Sequence, residues 1–404
     1  MHDQPTNSVD SADDGYDPML LGLRRERALG ALLPMFFVSG ATALVYQTVW
    51  ARQLQLLFGT SHFAISAVLT SFMLGLAIGG FVMARWADRL HRPLAVYGWL
   101  EGLIGVYALA FPTIVGVLQP LYLSAARAWE LGPLAFATIQ LVLLGASLLI
   151  PTAAMGATLP LLARFATERL GAAGDRIGTL YSVNTAGAVF GTWAAGFVLL
   201  PGAGLWSTTV VVGAANLALA VVALLVDRWV AVGGRAPVSV EAEDMEFPAV
   251  MGPVVAVAFF AGLASLIYEV AWTRLLVLLL GASVYAFSLM LLAFLSGIAL
   301  GGKIGGGLAD RALARGGVQG VLRLLAMVEV AVAALSYALM YLFQELPFWY
   351  VWIFDFTGAE SEPFWMWGTS LLLAVLVMTP PAVLMGIAFP VAVRAVVGLS
   401  LIHI

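Results

Sequence analysis

Ser39–Arg89 reads SGATALVYQTVWARQLQLLFGTSHFAISAVLTSFMLGLAIGGFVMARWADR, and Ala261–Arg311 reads AGLASLIYEVAWTRLLVLLLGASVYAFSLMLLAFLSGIALGGKIGGGLADR. The two stretches align at one constant shift. Tyr46 meets Tyr268, Trp50 meets Trp272, Arg52 meets Arg274, Gly59 meets Gly281 and Asp88 meets Asp310. A fixed shift over so many distinctive residues marks an internal repeat. Each copy reads as an apolar helix ending near Tyr-x-x-x-Trp-x-Arg, a short loop, a second apolar helix, and a loop opening with Ala-Asp-Arg.

Working outward, the whole chain shares this character. It is 62% hydrophobic and 10% charged, with a mean hydropathy of +0.97. A water-soluble domain of 404 residues has no interior large enough for that much apolar surface, so the fold class is all-α: a polytopic helical membrane protein. Ten apolar runs near 29–49, 63–84, 94–118, 134–155, 177–199, 205–226, 250–270, 284–307, 321–343 and 365–387 are long enough to span a bilayer. There are no cysteines, and the four histidines are scattered. No metal or cofactor site is expected, no catalytic residue stands out, and nothing suggests nucleic-acid binding.

Charge sets the orientation. With the N-terminus in the cytoplasm, 16 of the 19 basic residues lie on the inner side, and only Arg52, Arg127 and Arg274 lie outside. The predicted outer loop 344–364 is acidic, with Asp355, Glu360 and Glu362. The positive-inside rule favours this arrangement. Six spans separate equivalent points of the copies, so both face the same way. They are parallel repeats, as in the two halves of major facilitator transporters.

The predicted organisation has five parts. Residues 1–28 form an acidic, disordered cytoplasmic tail. Residues 29–226 form the first six-helix repeat. Residues 227–249, with Glu241, Glu243, Asp244 and Glu246, form a cytoplasmic linker. Residues 250–398 form a second repeat, which the duplication makes incomplete: Pro151–Arg164 matches Pro381–Arg394, but two further helices follow only the first. Leu399–Ile404 reads as the translation of a common transposase adapter, a scar outside the fold.

A family resemblance rests on Ser39-Gly40-x-x-Ala43-Leu44-x-Tyr46-Gln47-x-x-Trp50-x-Arg52, Gly59, Ser61, Gly75, Gly79, Asp88-Arg89, Met155-Gly156-x-x-x-Pro160 and Tyr181–Gly191. These resemble the membrane part of bacterial membrane-bound spermidine-synthase-like proteins, over nearly all of 30–398. In that family a major facilitator-like domain is fused to a C-terminal spermidine synthase domain. The resemblance implies a bacterial cytoplasmic membrane and a link to polyamines. It does not imply aminopropyltransferase activity for this chain. Gly305-Gly306-Gly307 mimics an adenosyl-binding turn, yet it sits between membrane helices with no strand before it.

Three groups of residues are functional candidates. Asp88 and Arg89, with Asp310 and Arg311, resemble the cytoplasmic charge latch of facilitator transporters, or serve only to anchor topology. Glu101 and Glu329 stand at matching points of the third and ninth predicted spans. An acid within a membrane helix is a functional candidate. The pair is placed to bind a proton or a small cationic solute such as a polyamine, or to pair with the nearby arginines. Tyr46, Trp50 and Arg52, with Tyr268, Glu269, Trp272 and Arg274, form either an outer gate or a belt of rings at headgroup depth. Glu269 is placed to pair with Arg274. Asn184 is a candidate cavity residue, beside small-residue faces such as Gly75-x-x-x-Gly79. Three functions fit: the membrane domain of a spermidine-synthase-like protein, a stand-alone facilitator-type transporter, or a membrane scaffold for a soluble domain.

Overall fold

In hydrocarbon, backbone N–H and C=O groups have no water to bond, so long apolar runs close their hydrogen bonds internally as helices. The computed structural model describes residues 18–58, 62–128, 132–166, 173–231, 251–281, 283–357 and 363–401. All its elements are helical: α1 (Pro18–Phe58), α2 (His62–Trp86), a 3-10 turn (Ala87–Arg89), α3 (Pro93–Ala128), α4 (Pro133–Ala166), α5 (Ala173–Ala194), a π turn (Ala195–Leu199), α6 (Leu200–Ala231), α7 (Met251–Leu280), α8 (Val284–Thr357) and α9 (Pro363–Leu401). Eight helical runs among the described residues are long and apolar enough to cross a membrane.

Two of these runs far exceed a bilayer. Thr179–Val230 has 52 residues and Val284–Phe356 has 73, about 78 and 110 Å if straight. Each contains a glycine in a conformation that other residues avoid. Gly204 lies at φ 74° and ψ 178°, and Gly317 at φ 57° and ψ −156°. Backbone of this kind interrupts the helical hydrogen-bond ladder, and the absence of a Cβ makes it affordable.

Several predicted boundaries shift. Residues 18–28, predicted as tail, begin α1, and the rest of the tail lies outside the described residues. The predicted linker is helical as far as Ala231, and 232–250 lie outside the described residues. The predicted loop 344–364 is helical to Thr357, and α9 runs to Leu401, into the predicted scar. Short apolar-window reasoning ends a helix where hydropathy falls. The chain instead carries helices beyond the hydrocarbon wherever no breaker stops them.

Packing pairs α2 with α4, α1 with α5 and α6, α3 with α4 and α6, and α8 with α9; α5 meets α8 across the middle. Small residues bring these helices together. A Cβ at Gly79 would overlap the Ala153 backbone carbonyl of α4, and one at Gly301 would overlap that of Val383 on α9. The apolar core forms four clusters, two within α1–α6 and two within α7–α9. Large apolar side chains such as Phe81, Val106, Phe260 and Trp352 remain exposed. A surface of that kind suits lipid, in a multi-pass membrane protein.

Candidate functional site

The Tyr-x-x-x-Trp-x-Arg segment places two helix faces in different surroundings. Residues four apart share a face. On one face of α1, Tyr46 and Trp50 are 0% and 1% exposed. Their rings stack at 4.9 Å, and Trp50 stacks in turn on Phe111 of α3 at 4.8 Å. Tyr268 and Trp272 repeat the stack in α7 at 5.1 Å. The belt of headgroup-depth rings is therefore corrected for Tyr46, Trp50 and Trp272. These side chains pack inward, because that face of the helix meets neighbouring helices rather than lipid.

The next face opens on a cavity of about 150 Å³ between α1 and α7. From α1 it takes Gln47, Thr48, Ala51, Arg52 and Gln55; from α7 it takes Glu269, Val270, Thr273, Arg274 and Val277. Each α7 position lies 222 residues after its α1 counterpart. The two copies of the repeat thus present the same five positions to one space. Ser66 of α2, with Ser283, Val284 and Phe287 at the start of α8, contributes to the wall.

The matched positions differ in chemistry. Arg52 is matched by Arg274, but Gln47 is matched by Glu269. Glu269 is 8% exposed, lines the cavity, and has no hydrogen-bond or ion-pair partner among the described residues. The expected pairing of Glu269 with Arg274 is not formed. A buried carboxylate without a partner is costly, so its place at a cavity wall is informative.

Glu101 sits elsewhere. It is fully buried, in the core of α1, α3 and α6. Its carboxylate accepts hydrogen bonds from the Ser39 hydroxyl at 2.6 Å and from the Asn216 side-chain amide. The Asn216 carbonyl accepts from the Tyr46 hydroxyl at 3.0 Å, and the Tyr97 hydroxyl is buried beside the same carboxylate. None of its partners is an arginine, so the expected pairing with Arg85, Arg89 or Arg92 is replaced by neutral donors. Glu329 has a buried Oε1 with no hydrogen-bond partner. Asn216 belongs to α6, and no helix among the described residues takes the corresponding place beside α7. Neither acid lines the cavity.

The two Ala-Asp-Arg segments lie at the other end of the helices, and the loop expected at each is corrected: Ala87–Arg89 is a 3-10 turn, and residues 309–311 are helical, within α8, because no breaker stands before Gly316. From His62 to Trp86, α2 rises about 37 Å, carrying the chain from the cavity end to Asp88. There Asp88 pairs with Arg164 at 3.1 Å, and Asp310 pairs with Arg394 at 3.0 Å. Both arginines come from the matched Pro151–Arg164 and Pro381–Arg394 segments. The pairs tie the end of α2 to α4, and the middle of α8 to α9. Arg89 and Arg311 are exposed. A further pair, Arg92 with Asp227, joins the start of α3 to the end of α6. The sequence pointed to the two aspartates but not to their partners Arg164 and Arg394, nor to the Arg92–Asp227 pair. The shared repeat position of Arg164 and Arg394 was the available signal.

Asn184 is half-buried where α5 crosses α1, so close to Gly40 that a Cβ there would strike the Asn184 carbonyl. It is absent from the cavity wall, and the crossing accounts for it. Gly305–Gly307 lies within helix α8, and no strand precedes it among the described residues.

No known family's sequence pattern matches this chain, and no curated protein sequence does. Among the described residues, no group of histidine, aspartate and glutamate side chains could hold a metal ion.

Proposed function

We propose that this chain is a facilitator-type membrane transport domain: ten spans in two parallel repeats, with a solute site between α1 and α7. The observation that carries the reading is the cavity wall itself, five matched positions from each repeat around one polar space. A site shared between two repeats is where rocking of one half against the other changes access. The breaks at Gly204 and Gly317 divide the two overlong runs, which supports ten spans rather than eight. The matched ion pairs Asp88–Arg164 and Asp310–Arg394 stand at the end remote from the cavity, where a latch differing between two states biases their populations. The 16-to-3 distribution of basic residues supports a cytoplasmic latch end.

Membership of the spermidine-synthase-like group belongs to the same proposal. It rests on the motif residues from Ser39 to Gly191, and it makes the chain the membrane half of a polyamine-related protein, with the aminopropyl chemistry assigned to a separate soluble domain.

Spin labels test the motion without knowledge of the solute. The chain has no cysteine, so introduced cysteines label cleanly. Leu56 and Leu278 occupy matched, exposed positions near the cavity end. His91 and Ala314 are exposed at the latch end. Distance measurements on L56C/L278C and on H91C/A314C are expected to show two populations each, one pair widening as the other narrows. A single narrow distance for both pairs is the outcome for a rigid scaffold and would overturn the proposal.

A further inference from the structure

The wall of the cavity between α1 and α7 carries two charges that no described residue answers. Arg52 is half-buried there, and Glu269 is 8% exposed. No ion pair joins them, and neither has another hydrogen-bond or ion-pair partner among the described residues. Arg274 also lines the space but already has an interaction partner, so the charges that call for a solute are those of Arg52 and Glu269. A buried carboxylate without a partner is costly, and an opposite charge relieves it. A guanidinium stays charged at any physiological pH and pairs with carboxylate through two parallel N–H···O bonds. Arg52 belongs to the first repeat and Glu269 to the second, where Gln47 and Glu269 are the matched positions that diverge.

From this pair we infer that the cavity takes a small zwitterion, an amino acid with an apolar side chain, its carboxylate held by Arg52 and its ammonium group by Glu269. The inference rests on the transport-site reading and names the solute class for it. A solute with both charges on one carbon fits a cation and an anion that share a space without touching. Other classes fit less well. A diamine would set its second cation against Arg52, and a dicarboxylate its second anion against Glu269. A monocarboxylate would leave Glu269 unanswered, and a monoamine would leave Arg52 so. Val68, Leu69, Val284 and Phe287 make part of the wall apolar, where a polar side chain would lose its water without replacement. A cavity of about 150 Å³ holds a molecule about the size of benzene, which excludes peptides and nucleotides.

Thermal unfolding of the full chain in detergent, with L-alanine, propionate and ethylamine as probes, tests this. Propionate is L-alanine without its ammonium group, and ethylamine is L-alanine without its carboxylate. L-Alanine is expected to raise the unfolding midpoint at millimolar concentration, and each of the other two less. Glu269→Gln removes an unanswered buried charge, so without a probe its midpoint should match or exceed that of the parent chain. The same variant should weaken L-alanine by about tenfold or more, the size of one lost charge-assisted contact, and should not weaken propionate. Arg52→Gln should weaken L-alanine and propionate but not ethylamine. Arg52→Lys, which keeps the charge and loses the two-pronged contact, reports the same loss in smaller measure if Arg52→Gln does not fold. Stabilisation by no probe, by propionate or ethylamine as strongly as by L-alanine, or undiminished L-alanine affinity in Glu269→Gln would overturn the assignment. The two readings fail separately. Paired distance populations without probe binding discard the solute class and keep transport. Probe binding with one rigid distance keeps the site and discards transport.

Discussion

At the residue scale, Glu101 is a fully buried acid held by neutral partners rather than by an arginine. Its position two turns into a membrane helix suggested a solute or proton site, and its surroundings are a closed set of neutral donors from α1 and α6. Replacing it by leucine strands Ser39 and Asn216 in the core. Each stranded group costs about 1–3 kcal/mol, so Glu101→Leu should lower the unfolding midpoint markedly in detergent. Glu101→Gln keeps the shape and much of the hydrogen bonding. It should be milder, and it should leave the distance populations of the L56C/L278C pair unmoved, because the side chain is outside the cavity wall. Moved L56C/L278C populations in Glu101→Gln with an unchanged midpoint would return the residue to the transport path. Tyr46→Phe removes only the hydroxyl bond to Asn216 and should cost about 0.5–1.5 kcal/mol. The acids themselves were legible in the sequence. Their partners were not, since Ser39, Glu101 and Asn216 are brought together by helix rotation, which hydropathy does not record.

At the element scale, the helices were legible because apolar length and charge spacing determine them. The repeat was legible because identical spacing survives in both copies. Which face of α1 points where was not. Tyr46 and Trp50 carry the interfacial chemistry of membrane anchors, yet the same helix turns them onto Phe111 and Asn216 and turns Gln47, Ala51 and Gln55 onto the cavity. Glycine positions carry the next predictions. At Gly79 the α2 helix lies against the Ala153 carbonyl, and at Gly301 α8 lies against the Val383 carbonyl. Alanine at either place forces the helices apart, a loss of about 1–3 kcal/mol visible as a lower midpoint. Gly317→Ala meets open space but a backbone region closed to other residues, and strain alone should cost about 1–3 kcal/mol. An unchanged midpoint in Gly317→Ala would mean that the α8 break is not held at that angle in the membrane.

At the scale of the whole molecule, the repeat connects two remote features. One end of the helices holds the matched cavity positions, and the other holds the matched ion pairs Asp88–Arg164 and Asp310–Arg394. Half-exposed pairs of this kind contribute about 0–1 kcal/mol each to stability, so on the transport reading their effect falls on the balance between states of similar energy. Asp88→Asn with Asp310→Asn should therefore shift the two distance populations of the H91C/A314C pair more than it shifts the unfolding midpoint. Shifted midpoint with unmoved populations would make the pairs simple ties.

The central claim is that the cavity between α1 and α7 opens to both sides of the membrane in turn. Thr273 lines that cavity and carries no charge, and the parent chain has no cysteine to confuse the readout. Thr273→Cys, labelled with a membrane-impermeant thiol reagent, is the most direct measurement. The account predicts modification both from the outer face in intact cells and from the inner face in inverted vesicles. Modification from one face only would contradict it and leave a fixed pocket in a membrane scaffold.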